Sequence, residues 1–463
     1  MIRNISKARK LSTRLLVNAC LLVSPLAIAQ DDFFSTVNVD TSNNSSRSSE
    51  NYSVIGWITQ SIAQGLEEPG PLFTRQEKEP TKIETSLFGQ LDGRVNDDFN
   101  FRISGKIYHD AIYRVNDETS YSEDERNEFR NRFEVKDLYL ERQFENGFYL
   151  KVGNQILAWG LAEYLRVTDL INTEDQITFG QQDLEDLRLQ VPAVLLSYTR
   201  GDWTFDSVYT YKAGRNDIAP MGDEFDQLAA QRNAGLSLLR NDPATDSEYF
   251  FRATTHLSKG DLQIVAGEFN DNSLSVDQLD ALLSISPLVT YSQNRMRAIG
   301  IAANWVEGSF LFFGELGIHF DKAVRPNQNS FFKQLNGWDE KDQLLSVVGI
   351  EYSGFRNLLL SFEIDSINTQ QHDAFMDADE NQISFGSRLY WTALNERLQV
   401  LAVWNELADN RGHVSRLSVE YNWSDSLDFG LMWVDYGSSD GSIFYDFRNN
   451  DVLQLQLKFN FQI

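Results

Sequence analysis

The stretch VLQLQLKFNFQI, residues 452–463, alternates apolar and polar side chains almost without interruption. Leu453, Leu455, Leu457, Phe459, Phe461 and Ile463 fall on one parity, and Gln454, Gln456, Lys458, Asn460 and Gln462 on the other. Successive strand residues point to opposite faces, so this segment is a β-strand with one apolar face and one polar face. Ending in Ile463 departs from the common terminal Phe of barrel strands, although Phe461 and Phe459 keep the alternation.

The same period recurs toward the N-terminus. Leu417, Val419, Tyr421 and Trp423 oppose Arg416, Ser418, Glu420 and Asn422, and Ile383, Phe385, Leu389 and Trp391 oppose Ser384, Gly386 and Arg388. Leu358, Leu360, Phe362 and Ile364 oppose Ser361, Glu363 and Asp365; Phe99, Phe101, Ile103 and Ile107 oppose Asn100, Arg102, Ser104 and Lys106. Strands are expected near 52–62, 82–92, 99–112, 132–144, 148–156, 193–200, 203–211, 247–257 and 262–269. The second half adds 293–306, 309–320, 342–353, 356–368, 382–392, 397–406, 413–423, 427–437 and 451–463. At Asp137-Leu138 the alternation breaks, which predicts a bulge or a shifted boundary.

A soluble sandwich alternates too, so the connections decide. Short links at 145–147, 201–202, 258–261, 307–308, 353–354, 393–396 and 424–426, with a slightly longer one at 93–98, alternate with long polar stretches. The long ones run over 114–131, 157–191, 212–246, 270–292 and 321–341, with shorter members at 369–381, 407–412 and 437–450. So many long loops are foreign to a compact soluble domain. They are what a transmembrane barrel has, with short periplasmic turns at one rim and long extracellular loops at the other. The expected fold is therefore all-β, a transmembrane antiparallel β-barrel of about 18 strands. Lipid supplies no hydrogen-bond partner, so its sheet must close. Aromatics near strand ends, among them Tyr149, Tyr198, Trp203, Trp305, Trp391, Trp404, Trp423 and Trp433, fit interfacial girdles.

Composition agrees by exclusion. The 463 residues carry 41 Lys+Arg against 67 Asp+Glu, a formal charge of −26, which argues against a nucleic-acid partner. A single cysteine excludes a disulfide framework. Arg3, Lys7, Arg9, Lys10 and Arg14 precede the apolar run 15–28, and Ala27-Ile28-Ala29 has the form of a cleavage site, so 1–29 reads as a secretory signal peptide. Its removal would take the charge from −26 to −31. Residues 30–50 read as a flexible periplasmic arm, and 51–463 as the barrel.

Gly153-Asn154-Gln155, Ala158-Trp159-Gly160, Asp169-Leu170-Ile171-Asn172 and Val191-Pro192, with the Gly56-Trp57 and Gly65-Leu66 pairs and the hairpin GQLDGRVNDDFNFR (89–102), resemble a porin-like family of Gram-negative outer-membrane barrels of unknown function. The sequence departs from the family at Asn172-Thr173-Glu174-Asp175, where Asn-Pro-x-Asp is usual. The resemblance implies an outer-membrane location and an RND-type inner-membrane exporter as partner. Alginate-type export barrels are more distantly similar; their strongly basic lumen is not seen here.

Enzymatic motifs are scarce. There is no G-x-S-x-G, no H-E-x-x-H, no GxxxxGK[ST], and the five histidines are scattered. No catalytic residue, metal ligand or cofactor is assigned. Parity counting places Arg102, Lys106, Lys151, Arg252, His256, Glu315, His319, Glu363, Asp365, Arg388, Arg416, Glu420 and Lys458 inside, as a mixed-charge lumen that either selects solutes or pairs with itself. The 157–191 stretch, with Trp159, Arg166, Asp169, Glu174, Asp175 and Arg188, is the candidate constriction; lying outside over the rim is the alternative. The acidic loops (117–118, 123–125, 223–224, 377–380) fit a hydrated face bridged loosely by divalent ions to lipopolysaccharide. The expected function is a channel or porin-like conduit passing or exporting small or amphipathic solutes. Its partners would be outer-membrane lipid, lipopolysaccharide and the barrel assembly machinery. Two alternatives stay open: an outer-membrane hydrolase using His109 or His256, and a plugged structural or adhesive barrel.

Overall fold

The computed structural model describes residues 52–463 except 71, 74–78, 97, 117–120, 183, 234, 244, 281–287, 326–336, 377, 409–410 and 440–444. The expected signal peptide and arm lie outside the described residues.

Eighteen strands form one sheet. They are β1 (Tyr52–Gly65), β2 (Pro80–Arg94), β3 (Asn100–Asp110), β4 (Asn131–Gln143), β5 (Phe148–Gln155) and β6 (Val191–Arg200). Next come β7 (Trp203–Thr210), β8 (Glu248–Leu257), β9 (Gly260–Asn270), β10 (Arg295–Glu307), β11 (Phe310–Val324) and β12 (Asp339–Phe355). The last are β13 (Leu358–Thr369), β14 (Asn381–Ala393), β15 (Leu398–Leu407), β16 (Gly412–Ser424), β17 (Leu427–Ser438) and β18 (Val452–Gln462). Each pairs antiparallel with the next. The stretch that opened the sequence analysis closes the ring: β18 pairs with β1 from Ile55 opposite Gln462 to Gly65 opposite Val452. Closure removes the sheet edge, as a hydrocarbon surround demands. All eighteen expected strands are present, half of them longer than expected and the others shifted or trimmed by a residue or a few. The loops add two small sheets the periodicity did not foretell: Thr173–Gln176 with Arg188–Leu189 and Asp217–Ile218, and Ser237–Arg240 with Leu288–Ser292 and Ser275–Asp280.

Alternation puts the apolar face outward. Phe133, Ile299, Leu316, Val348, Phe362, Leu431 and Leu455 are all exposed, which in water would be an untenable belt and in lipid is the required one. Trp203, Trp305, Trp391, Trp404, Trp423 and Trp433 share that face. Tyr149 does not: it lies on the inner face with Lys151, and its hydroxyl donates to Glu141 at 2.5 Å. Val348, 69% exposed near the middle of β12, tests the belt. Val348→Arg is expected to destabilise the barrel by about 2–4 kcal/mol, the cost of a cation near the bilayer midplane. Denaturant titration in lipid reads this, and an effect under ~0.5 kcal/mol would place Val348 elsewhere.

The break at Asp137 is a β-bulge. Ile103 faces Leu138 and Gly105 faces Val135, so Lys136 and Asp137 together oppose Ser104. The extra residue is fixed by the Asp137 N–H donating to Ser104 Oγ at 2.9 Å. The consequence is a change of parity. Phe133 and Val135 point outward before the bulge and Leu138 and Leu140 after it, while Lys136 and Asp137 are consecutive and both line the interior.

Candidate functional site

The interior is where the chemistry sits, and the segment between β5 and β6 divides it. On β6–β10 eight of the inward positions form an apolar cluster: Val191, Ala193, Val208, Phe250, Val265, Phe269, Met296 and Ala298. An aqueous lumen would leave these wet. Instead Leu157, Trp159, Leu170 and Ile171 cover them, and Ala162, Leu165 and Val167 cover Phe313, Leu345 and Val347 further round the wall. Each fully buried side chain of this kind contributes ~1.5–3 kcal/mol, ample to hold the segment inside.

The outward limb of the loop (157–168) therefore runs across the lumen against β6–β14. Glu315 accepts from the backbone N–H of Leu161, of Ala162 (2.8 Å) and of Thr168 (2.9 Å), and from the Thr168 hydroxyl (2.7 Å). Glu363 accepts from the N–H of Glu163 (3.1 Å) and Tyr164 (2.8 Å). Arg388 reaches Glu163 at 2.8 Å and Glu351 at 3.2 Å. At the turn of the loop Asp169 meets Arg166 (3.3 Å) and Arg188 (3.1 Å), and Arg166 also meets Glu174 at 3.3 Å. Burial alone would raise the Asp169 carboxyl; the two guanidinium groups outweigh it and hold it below the usual carboxylate range.

The return limb (175–188) faces the opposite wall across charge. Asp175 pairs with Arg132 at 3.3 Å, Asp186 bridges Lys106 and Lys136 (3.0 Å to the latter), and the Gln182 carbonyl accepts from Arg416. Burial would raise the Asp186 carboxyl, but Lys106 and then Lys136 overcome it and hold it far below the ordinary value. A depressed folded pKa means a stabilisation present above the unfolded value and lost only as pH falls through the folded one. Acidifying from pH 7 to 4.5 should thus leave this contact intact, whereas Asp186→Asn should free the limb at every pH in that range. Hydrogen exchange of residues 176–187 in the folded barrel checks both, and release of the wild-type limb at pH 5 would contradict the assignment.

Between the return limb and the β1–β5 and β14–β18 walls lies a cavity of about 1090 Å³. Six of the expected interior charges line it: Arg102, Lys106, Lys151, Arg416, Glu420 and Lys458, joined by Asp175 and Arg188 from the loop. Arg102 is paired with Asp92 at 2.6 Å, Lys151 sits 3.9 Å over the Tyr139 ring and Lys458 4.3 Å over that of Trp57. The other expected charges lie elsewhere, so the thirteen do not share one cavity. Arg252 is under the loop, paired with Asp206 at 2.7 Å and 4.9 Å over the Trp159 ring. Glu315, Glu363, Asp365 and Arg388 are buried beneath the outward limb, as is His319, which bonds the Val167 carbonyl at 3.1 Å. His256 is a rim residue, 74% exposed beside Asp261. Physically, covered carboxylates are more useful to loop amides than to solutes.

Parity counting missed Arg132, Lys136 and Asp137, which line the cavity, and Glu134 between them, because the bulge shifts the register. The inward loop was also announced locally. Ile264-Val265-Ala266 and Ala298-Ile299-Gly300-Ile301-Ala302 are apolar on both faces, and a strand apolar on both faces needs cover on both.

Residues 78–461 match the family described as a protein of unknown function, DUF1302. The chain belongs to that family. Its barrel is similar to Acinetobacter baumannii OccAB3 (TM-score 0.52, 9% identity, covering 89% of this chain and 100% of that one). It is similar also to OccAB1 of the same organism (0.52, 8%, 89% and 97%) and to Pseudomonas aeruginosa OccK9, or OpdG (0.51, 10%, 89% and 98%). At such identity the likeness is one of fold. No curated protein matches the sequence. The closed, even-stranded ring with its apolar belt is that of a Gram-negative outer-membrane β-barrel, porin-like in architecture.

Proposed function

We propose that this DUF1302 barrel is a narrow outer-membrane channel for small polar or amphipathic solutes, without enzymatic activity, whose constriction is the loop 157–190. The observation that carries the reading is the cavity of about 1090 Å³ left between the return limb and the wall, lined by charges of both signs. Opposed charges at close quarters favour solutes that match them and retard those that do not. The hydrolase alternative finds little support: His109 bonds Asn131 at 2.8 Å and His256 bonds Asp261, with no serine joined to either among the described residues. An RND-type exporter, if it docks, would meet the short-turn rim.

Single-channel recording tests the proposal, comparing the wild type with a chain lacking residues 177–187. A conducting wild type and a more conductive deletion support it. Silence from both overturns it; a silent wild type with a conducting deletion favours a plugged barrel.

A further inference from the structure

The wall opposite the cavity carries a recess shaped for the outward limb. Gly386 of β14 faces Tyr164 so closely that a Cβ there would overlap the phenol ring. A Cβ at Gly317 of β11 would lie 2.8 Å from Val167 Cγ1, and one at Gly300 of β10 would lie 2.9 Å from Thr168 Cγ2. Three inward positions on three strands thus lack side chains where the loop needs room. Flanking the recess, Glu315 and Glu363 collect six donor bonds from residues 161–168, five of them from backbone N–H groups. Short of proline, no substitution in the loop removes a backbone N–H donor, so these contacts are set chiefly by the wall carboxylates. The return limb differs in kind. It meets one wall through side-chain charges, Asp175 with Arg132 and Asp186 with Lys106 and Lys136, and the other through the packing of Phe179 against the cluster of Val414, Val434 and Tyr436, besides the bonds from Arg416 to the Gln182 carbonyl and from Tyr436 to the Phe179 carbonyl.

We infer that Glu315 and Glu363 are positioning residues of the lumen: with the glycine recess they fix residues 160–168 to the wall, and only the limb 175–188 yields. The assignment of the constriction rests on the proposed function, but the seating of the loop does not. Charge-assisted bonds to a buried carboxylate are stronger than neutral ones and little screened by salt, whereas the return limb's ion pairs sit at the wall of the cavity, at 7–18% side-chain exposure, where added salt reaches them sooner.

Peptide-resolved hydrogen exchange of the full folded chain in micelles separates the limbs. Amides of 160–168 are expected to exchange at least about tenfold more slowly than those of 176–187, and a rise from 0.1 to 1 M salt should speed only the latter, by ~3-fold or more. Glu363→Gln and Glu315→Gln keep the side-chain volume but lose the anionic acceptor; each should accelerate 160–168 by about tenfold while leaving the folded gel mobility of the barrel unchanged. Gly386→Ala, which fills the recess without touching either carboxylate, should do the same. Equal exchange in both limbs, or unaltered exchange of 160–168 in both glutamine variants, overturns the inference. If exchange behaves as described but deleting 177–187 leaves conductance unchanged, the constriction reading fails and the seating stands.

Discussion

Removing residues 177–187 should raise single-channel conductance about two- to threefold and shift selectivity toward anions. The deletion is structurally mild. Glu174 and Arg188 are already paired across the small loop sheet, so rejoining Gln176 to Arg188 leaves a two-residue turn, Asp175-Gln176, of ordinary hairpin length. The outward limb keeps its apolar cover and its two carboxylates. What disappears is the limb lining the cavity, including Ile177, Thr178, Gln181 and Gln182. Asp186 goes with it, and Lys106 and Lys136 then face solvent without that carboxylate. The excised stretch contains Asp183, Glu185 and Asp186 and no base, which sets the sign of the selectivity change. Reversal potentials in a salt gradient measure it. A conductance and reversal potential both equal to the wild type would remove the return limb from the conducting path.

Gly153→Val should prevent the barrel from forming. Gly153 sits in β5 opposite Tyr139 and Ala193, with φ +137°, a backbone region L-residues rarely occupy. A Cβ there would overlap the carbonyl oxygen of Leu138 and lie 2.7 Å from Tyr139 Cα, immediately beyond the bulge. Backbone strain of about 1–3 kcal/mol and a steric clash of similar size combine to ~4 kcal/mol or more, a large part of a typical folding free energy. The folded, faster-migrating band on an unheated gel should be lost. Gly201→Ala, at a short turn where nothing lies within 4 Å of the added carbon, should keep that band although its φ is +62°. A folded band at wild-type intensity for Gly153→Val would show that β4 and β5 can separate locally.

The strands were readable because their cause is local: a two-residue period needs only neighbours in sequence, and LQLQLKFNF declares itself. Short against long connections supplied the topology for the same reason. The bulge left a visible trace, a broken alternation at Asp137, but its effect on which face Arg132, Glu134 and Lys136 occupy needed the partner strand. The role of Glu315 and Glu363 was beyond reach. Parity puts them inside, yet their partners lie 147 to 200 residues away in the chain, and no pattern links a wall carboxylate to a loop amide at that distance. Gly386, Gly317 and Gly300 are the same case. Each is an unremarked small residue in a strand until Tyr164, Val167 and Thr168 are seen filling the space.

The ring closes between its two most distant strands, with Val54 and Ile463 exchanging backbone bonds at 3.1 and 2.8 Å. Until the last strand docks, β1 and β17 each present a row of unsatisfied amides and carbonyls, and the sheet is an open, sticky ribbon. Contacts so remote in sequence are the slowest to find by diffusion. Were strands to pair in chain order, seventeen would be joined before the lumen, its loop and its cavity gained a fixed inside, and VLQLQLKFNFQI would join both edges last. An escort that shields those edges until then would be guarding time rather than shape.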